Sequence, residues 1–207
     1  FYTLLVLSTA LFGQTSFRNV IVNGIVLAED GKKMSKSLKN YPPPDEVMDE
    51  LGADAMRLYL LASAATRGED LRFSKEGVKG VVRQTLLPLW NAYNFFVTYA
   101  LVDGWTTEKI PTTRSNNVLD RWILSKAASL VESVDAALGS YHLYSAAQPI
   151  LDFVDQLTNW YIRLNRRRFW VGNKAGEMED KMHAYATLHT ALLSFVRVLA
   201  PMAPFTS

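Results

Sequence analysis

The chain has 207 residues, 49% of them hydrophobic, which describes a soluble globular protein able to bury one good core or two modest ones. Its formal net charge of +2 is too small to make the whole surface attract polyanions, so nucleic-acid binding would have to come from local clusters of Lys and Arg. With no cysteine, disulfides, thiolate nucleophiles and Cys-type zinc sites are excluded, His142, His183 and His189 lack metal-ligand spacing, and a reducing cytosol is the expected compartment.

The first element is an apolar run from Phe1 to Phe12, well short of the roughly 20 residues that span a bilayer and without a basic segment before it. It reads as a buried helix rather than a membrane span or signal peptide. The chain starts at Phe and ends at Pro201-Met202-Ala203-Pro204-Phe205-Thr206-Ser207, and both ends read as cut from something longer. Next, Asn19 to Leu27 is rich in β-branched residues broken by Gly24, which predicts extended strand structure around a turn or bulge. From Glu29 to Asn40 periodicity gives way to Gly, Lys and Ser, the pattern of a mobile loop. Pro42-Pro43-Pro44 followed by Asp45 then starts a helix.

Beyond Tyr41 the spacing of apolar residues by three and four predicts helices over 45–51, 53–64, 75–102, 118–138, 144–170 and 178–199. At 1.5 Å per residue the segment from Lys75 is roughly 42 Å long, and its neighbours are comparable, as in an antiparallel bundle. The polar stretch from Gly104 to Asn117 is the expected linker between helices of that bundle. Asp120-Arg121-Trp122 reads as a helix start whose Asp caps or favours the first turn. Asp152 and Asp155 read as one helix face's polar residues, and nothing points to acid–base catalysis.

The chemistry concentrates in Asp30-Gly31-Lys32-Lys33-Met34-Ser35-Lys36-Ser37-Leu38-Lys39-Asn40, where lysines alternate with small hydroxyl side chains. A Walker-type loop is excluded, because Gly24 and Gly31 are wrongly spaced and Lys32 is followed by Lys33. Composition alone describes a solvated surface stretch more often than a polyphosphate-binding loop. The order of residues separates the two. Lys33-Met34-Ser35-Lys36-Ser37 resembles the second signature of class I aminoacyl-tRNA synthetases. The flanking Asp30-Gly31 and Leu38-Lys39-Asn40-Tyr41-Pro42, then Gly52-Ala53-Asp54-Ala55-Met56-Arg57-Leu58-Tyr59-Leu60, resemble the isoleucine enzymes in particular. The resemblance continues through Asp120-Arg121-Trp122-Ile123-Leu124 and Leu157-Thr158-Asn159-Trp160-Tyr161-Ile162-Arg163 to Arg166-Arg167-Arg168-Phe169-Trp170, and so covers essentially the whole chain.

The resemblance implies a mostly α fold: the end of a Rossmann-like α/β catalytic domain followed by an α-helical bundle that binds the anticodon. The expected divisions are 1–42 for the catalytic end with its lysine loop, 43–73 for a helical stem-contact segment, and 74–207 for the anticodon-binding domain, truncated at its C-terminus. It further implies activation of isoleucine by ATP, with Mg²⁺ arriving on ATP, and transfer to tRNA(Ile); no zinc and no membrane partner are expected. Because that reaction is an attack of a carboxylate on the α-phosphorus, no protein nucleophile is needed. A lysine on a loop can neutralise charge developing on phosphate oxygens. Lys36, with Lys33 beside it, is the expected catalytic group. Ser35 and Ser37 would supply hydrogen bonds, Met34 would pack the loop against its domain, and Gly24 would let adenine approach closely.

A second cluster has physical support of its own. Asn159, Arg163, Arg166 and Arg167 recur at helical spacing, with Arg168 adjacent, and Trp160 and Trp170 offer flat partners for unstacked bases, the means by which single-stranded RNA loops are read. The alternative is structural, with the tryptophans in the core and the arginines paired to acids such as Glu177 and Glu179. The chain has no His-x-Gly-His, and the amino-acid pocket and editing region of the family are missing, so the polypeptide by itself is not expected to activate isoleucine. A valine, leucine or methionine enzyme, or a non-catalytic RNA-binding helical module, are the competing readings.

Overall fold

In the computed structural model the described residues are 1–171 and 175–207, and the fold is mostly helical. Helix α1 (Tyr2–Phe12) ends where Gly13 takes a left-handed conformation, φ 67°, and donates its N–H to the Thr9 carbonyl. None of its residues is buried; Leu4, Leu7, Leu11 and Phe12 all stand exposed. The expectation of a buried helix therefore fails within the described residues: the run is apolar all round, and no other element supplies a surface to cover it.

The extended stretch is also shorter than the β-branched run from Asn19 suggests. Only β1 (Val26–Leu27) forms a ladder, in parallel with β2 (Leu71–Arg72), register Val26 to Leu71 and Leu27 to Arg72. The preceding residues have irregular partners instead: Gly24 N–H donates to the Ala65 carbonyl at 2.8 Å and Ile25 N–H to Asp70 Oδ1 at 3.1 Å. Parallel strands need a crossover. Here it consists of the lysine loop, α2 (Pro44–Leu51), α3 (Ala53–Leu61) and a 3-10 turn at Ala64–Arg67. Pro44 suits the first helical turn because its missing N–H has no partner to lose there, and Asp45 and Glu46 complement the helix dipole. Gly52, at φ 88°, separates the two helices in a conformation that side-chain-bearing residues resist.

The segment after Ser74, whose hydroxyl caps the Gly77 N–H, is helical to Val102 but not uniformly α. Helix α4 (Lys75–Val81) passes through a π turn at Val82–Leu86 into α5 (Leu87–Val102), and the Leu87 N–H reaches back to the Val82 carbonyl. Pro88 gives the reason. It has no N–H, and its ring collides with the carbonyl four residues earlier, so the ladder slips by one residue at this point. A second π turn, Gln156–Ile162, interrupts the long helix predicted from Tyr144, dividing it into α7 (Leu143–Asp155) and α8 (Arg163–Trp170). There the Thr158 hydroxyl occupies the Val154 carbonyl at 2.8 Å, competing with the backbone ladder. Helix α6 (Val118–Gly139) is capped by Asn117, whose Oδ1 accepts from Leu119 N–H at 2.9 Å; Asp120, expected as a cap, has another use. Helix α9 (Ala175–Leu199) completes the bundle.

Two cores result. The larger gathers Ile123, Ile150, Phe153, Tyr161, Phe169, Tyr185, Leu188 and Phe195 between α5, α6, α7–α8 and α9. The smaller, around Val47, Ala55, Phe73 and Val78, lies under the lysine loop and takes Met34 and Tyr59 at its edge. Helix α3 contributes to both, with Leu58 in the larger and Ala55 in the smaller.

Candidate phosphate loop and nucleic-acid interface

The lysine loop hangs from β1. Leu27 bridges Lys33, and the turn between them closes with Ala28 N–H to the Lys32 carbonyl and Gly31 N–H to the Ala28 carbonyl. Gly31 has φ 80°, and a Cβ there would stand 3.1 Å from the Arg72 guanidinium, so both backbone and space favour glycine. The far side is held by Asn40. Its side-chain amide donates to the Lys33 carbonyl at 3.1 Å while its Oδ1 accepts from Ser35 N–H at 2.9 Å, a two-point clamp across Met34. Met34 itself is half-buried against the smaller core, as expected of a residue that anchors the loop.

With the backbone so fixed, the side chains of Lys33, Lys36 and Ser37 face solvent and Ser35 is half-buried, its hydroxyl 2.8 Å from that of Ser37. Lys32 pairs with Asp30 at 3.5 Å, whereas Lys33 and Lys36 have no ion pair among the described residues. The arrangement presents two free ammonium groups and two hydroxyls on one short turn, a donor set suited to phosphate oxygens. Gly24 lies apart from this turn: a Cβ at this position would come within 1.7 Å of the Glu69 carbonyl, so the chain's own backbone already makes a close approach there.

The second cluster follows the π turn into α8. Asn159, Trp160, Arg163, Arg166, Arg167 and Trp170 are all exposed, and the buried aromatics of this segment are instead Tyr161 and Phe169. Arg163, Arg166 and Arg167 form no ion pair among the described residues, neither to Glu177 or Glu179 nor to any other acid. Asn159 and Arg166 line one cleft of about 370 Å³ with Pro88, Asn91 and Phe95 of α5. Asn159 also borders a second cleft, between the two π turns, with Arg83, Gln84 and Gln156. These α5 residues carry no motif; only the packing of the bundle brings them to the arginine helix.

Arg168 differs from its neighbours. Its guanidinium is turned inward to Asp120 at 2.6 and 2.8 Å and to Asp180 at 2.8 Å, with 11% of its side chain exposed. Asp120 also accepts from Tyr161 Oη at 2.7 Å and Ser115 Oγ at 2.6 Å. Burial alone would lower the pKa of Arg168, but hydrogen bonds to the two carboxylates outweigh it and hold the guanidinium above its ordinary value. Burial, then the charge of Asp120, pushes the Tyr161 hydroxyl well above the usual phenol range. The expected contact of Arg168 with RNA therefore meets a competing use, because its donors are committed inside the bundle.

Comparison with known proteins bears on both clusters. Residues 1–74 match the model of class I tRNA synthetases (I, L, M and V), and residues 120–207 match that of the anticodon-binding domain of tRNA ligases. The isoleucine–tRNA ligase of Protochlamydia amoebophila is 50% identical over 207 residues, all of this chain and 20% of that protein, and that of Chlamydia muridarum is 51% identical with the same coverage. The chain belongs to the class I tRNA synthetases. As a class I synthetase chain it spans about one fifth of the length of the curated relatives it matches. Its lysine loop falls within the synthetase match and its arginine helix within the anticodon-domain match.

The synthetase fold recurs in solved structures. The Mycobacterium tuberculosis methionyl-tRNA synthetase in complex with methionyl-adenylate superposes with a TM-score of 0.73 at 18% identity, over 88% of this chain and 35% of that one. The Agrobacterium radiobacter K84 agnB2 LeuRS, in a ternary complex with tRNA and LeuAMS, gives 0.67 at 21% identity, over 99% of this chain and 23% of that one.

Proposed function

We propose that this chain is the part of an isoleucine–tRNA ligase that joins ATP chemistry to tRNA recognition. On this reading residues 1–42 end the catalytic domain, 43–73 form the stem-contact segment and 74–207 form the anticodon-binding bundle. Identity near 50% to isoleucine enzymes along the whole chain, against 18–21% to the methionine and leucine structures, supports isoleucine over those two substrates. The observation that carries the chemical part is the turn at Lys33–Ser37, whose backbone is clamped by Asn40 while both lysines remain free.

In that chemistry the carboxylate of isoleucine attacks the α-phosphorus of ATP and pyrophosphate leaves. Lys36, with Lys33, meets the negative charge that grows on the leaving phosphate oxygens, and Ser35 and Ser37 orient the phosphates. A clamped turn stabilises that charge without first having to be ordered. Mg²⁺ would travel with ATP. The described residues contain no group of three or more His, Asp or Glu able to hold it, so no step is assigned to this chain through the metal. The isoleucine pocket and editing region would belong to the remaining four fifths of the ligase.

The bundle would bind tRNA(Ile) through Arg163, Arg166 and Arg167 on phosphates, Asn159 in its cleft, and Trp160 and Trp170 stacked on unpaired bases. Arg168 would act from inside, holding the helix that carries them. The described residues contain no helix long and apolar enough to cross a membrane, and the proposed setting is cytoplasmic. The test is binding of a tRNA(Ile) transcript and an anticodon-mutated copy across a salt series, since phosphate contacts alone give salt dependence without discrimination. Preference for the native anticodon is expected; equal affinity at every salt concentration would reduce the bundle to backbone binding.

A further inference from the structure

Helix α3 contributes to both cores, and two of its charged residues close on the turn after α9. Arg57 Nε donates to the Met202 carbonyl and its terminal nitrogen to the Pro201 carbonyl, each at 3.0 Å. One helical turn away, Asp54 Oδ2 accepts from Phe205 N–H at 3.0 Å and Thr206 Oγ1 at 2.6 Å. A helix that has ended leaves carbonyls without partners, and the next turn leaves N–H groups without them. Arg57 and Asp54 satisfy one set each for the turn that follows α9, across 144 to 152 residues of sequence. Asp54 is 4% exposed, and Met202 and Ala203 are buried in the larger core, so the joint is dry on one side and charged on the other.

The same helix holds the lysine loop. Ala55 lies in the smaller core against which Met34 packs. Tyr59 Oη donates to the Arg72 carbonyl and accepts from Ser74 N–H, both at 3.3 Å, and the Arg72 guanidinium backs Gly31 at the start of the loop. Helix α4 seats Tyr59 closely: a Cβ on Gly77 would stand 2.5 Å from the Tyr59 ring. One rigid nine-residue helix thus bonds to the end of the bundle with Asp54 and Arg57 and supports the phosphate loop with Ala55 and Tyr59.

We propose that Asp54 and Arg57 are positioning residues that set the bundle, and the tRNA on it, in register with the phosphate loop; this rests on the ligase reading above. Although both lie in the segment assigned to stem contact, Asp54 is buried and the Arg57 guanidinium is committed to two carbonyls of this chain, so neither is assigned a contact with ATP or RNA. Their loss therefore leaves adenylate formation and tRNA affinity in place but lets the bundle pivot, so that bound tRNA meets the activated amino acid less often in a productive pose. Four polar bonds with fixed directions constrain such a pivot more tightly than apolar contact, which slides.

The experiment uses the full-length ligase carrying Arg57→Met, Asp54→Ala or Arg57→Lys, with two readouts: isoleucine-dependent ATP–pyrophosphate exchange without tRNA, and steady-state charging of tRNA(Ile). The expected result for Arg57→Met and Asp54→Ala is exchange within about twofold of wild type, an unchanged KM for tRNA, and kcat for charging lower by about tenfold. Arg57→Lys, which can reach one carbonyl but not two, should recover part of that loss. Equal losses in exchange and charging would show a merely structural role and overturn the proposal, as would unchanged charging or a raised KM with kcat intact. Absence of isoleucine-dependent exchange in the wild-type ligase would instead overturn the reading on which the proposal rests.

Discussion

Arg168 and Asp120 form a two-pronged ion pair, at 2.6 and 2.8 Å, that ties the last turn of α8 to the first turn of α6. Asp120 is fully buried and Arg168 nearly so, and Asp180 of α9 closes the network. Removing one partner of such a pair leaves an uncompensated buried charge. We expect Arg168→Leu to cost about 3 kcal/mol or more in urea unfolding, whereas Arg166→Leu and Arg167→Leu should stay within about 0.5 kcal/mol of wild type. In tRNA binding the order reverses, with Arg166 and Arg167 weakening affinity and reducing the salt slope. A stability loss shared equally by all three would contradict the division between inward and outward arginines.

Tyr161 and Tyr185 should make stability fall at alkaline pH. Burial raises both phenols, Tyr161 further through Asp120 and Tyr185 through its hydrogen bond to Asp103. A raised folded-state pKa means the folded chain keeps protons that the unfolded chain loses near pH 10, so the stabilisation is complete below that pH and declines above it. Unfolding midpoints at pH 8 and pH 11 should show the decline, and Tyr185→Phe should make it shallower. A midpoint that holds steady to pH 11 would contradict the assignment.

Asn40→Ala should loosen the lysine loop without unfolding the chain, because it removes both clamp bonds while leaving Met34 in the smaller core. The expected cost is about 1 kcal/mol, read as faster hydrogen exchange at the Ser35 amide with a nearly unchanged global midpoint. Unaltered Ser35 exchange would show that Met34 packing alone holds the turn.

Much of this architecture was legible in the sequence, for identifiable reasons. Three-and-four spacing of apolar residues revealed every helix of the bundle, and the order Lys33-Met34-Ser35-Lys36-Ser37 separated the loop from an ordinary lysine-rich surface. The π turns were not legible as such: Pro88 marks one locally, but slipping the ladder rather than breaking the helix depends on the packing around it. Asp120 looked like a helix-start residue because its partners, Arg168 and Tyr161, lie more than 40 residues away. Arg168 was grouped with the arginine strip as its neighbour in sequence and not by helical spacing, and its inward turn was hidden because Asp120 and Asp180 lie 48 and 12 residues away. Asn91 and Phe95, which complete the cleft at Asn159, have no signal in the sequence at all. Helix α1 marks the opposite failure, as apolar composition implied burial against a surface that no other described element supplies.

The central claim is that the clamped turn at Lys33–Ser37 serves ATP chemistry in an isoleucine ligase, and amino-acid-dependent ATP–pyrophosphate exchange by the full-length enzyme tests it most directly. Lys36→Ala should slow isoleucine-dependent exchange by roughly two to three powers of ten, as loss of a donor to a developing anion does. Exchange at a near wild-type rate in that variant would contradict the account.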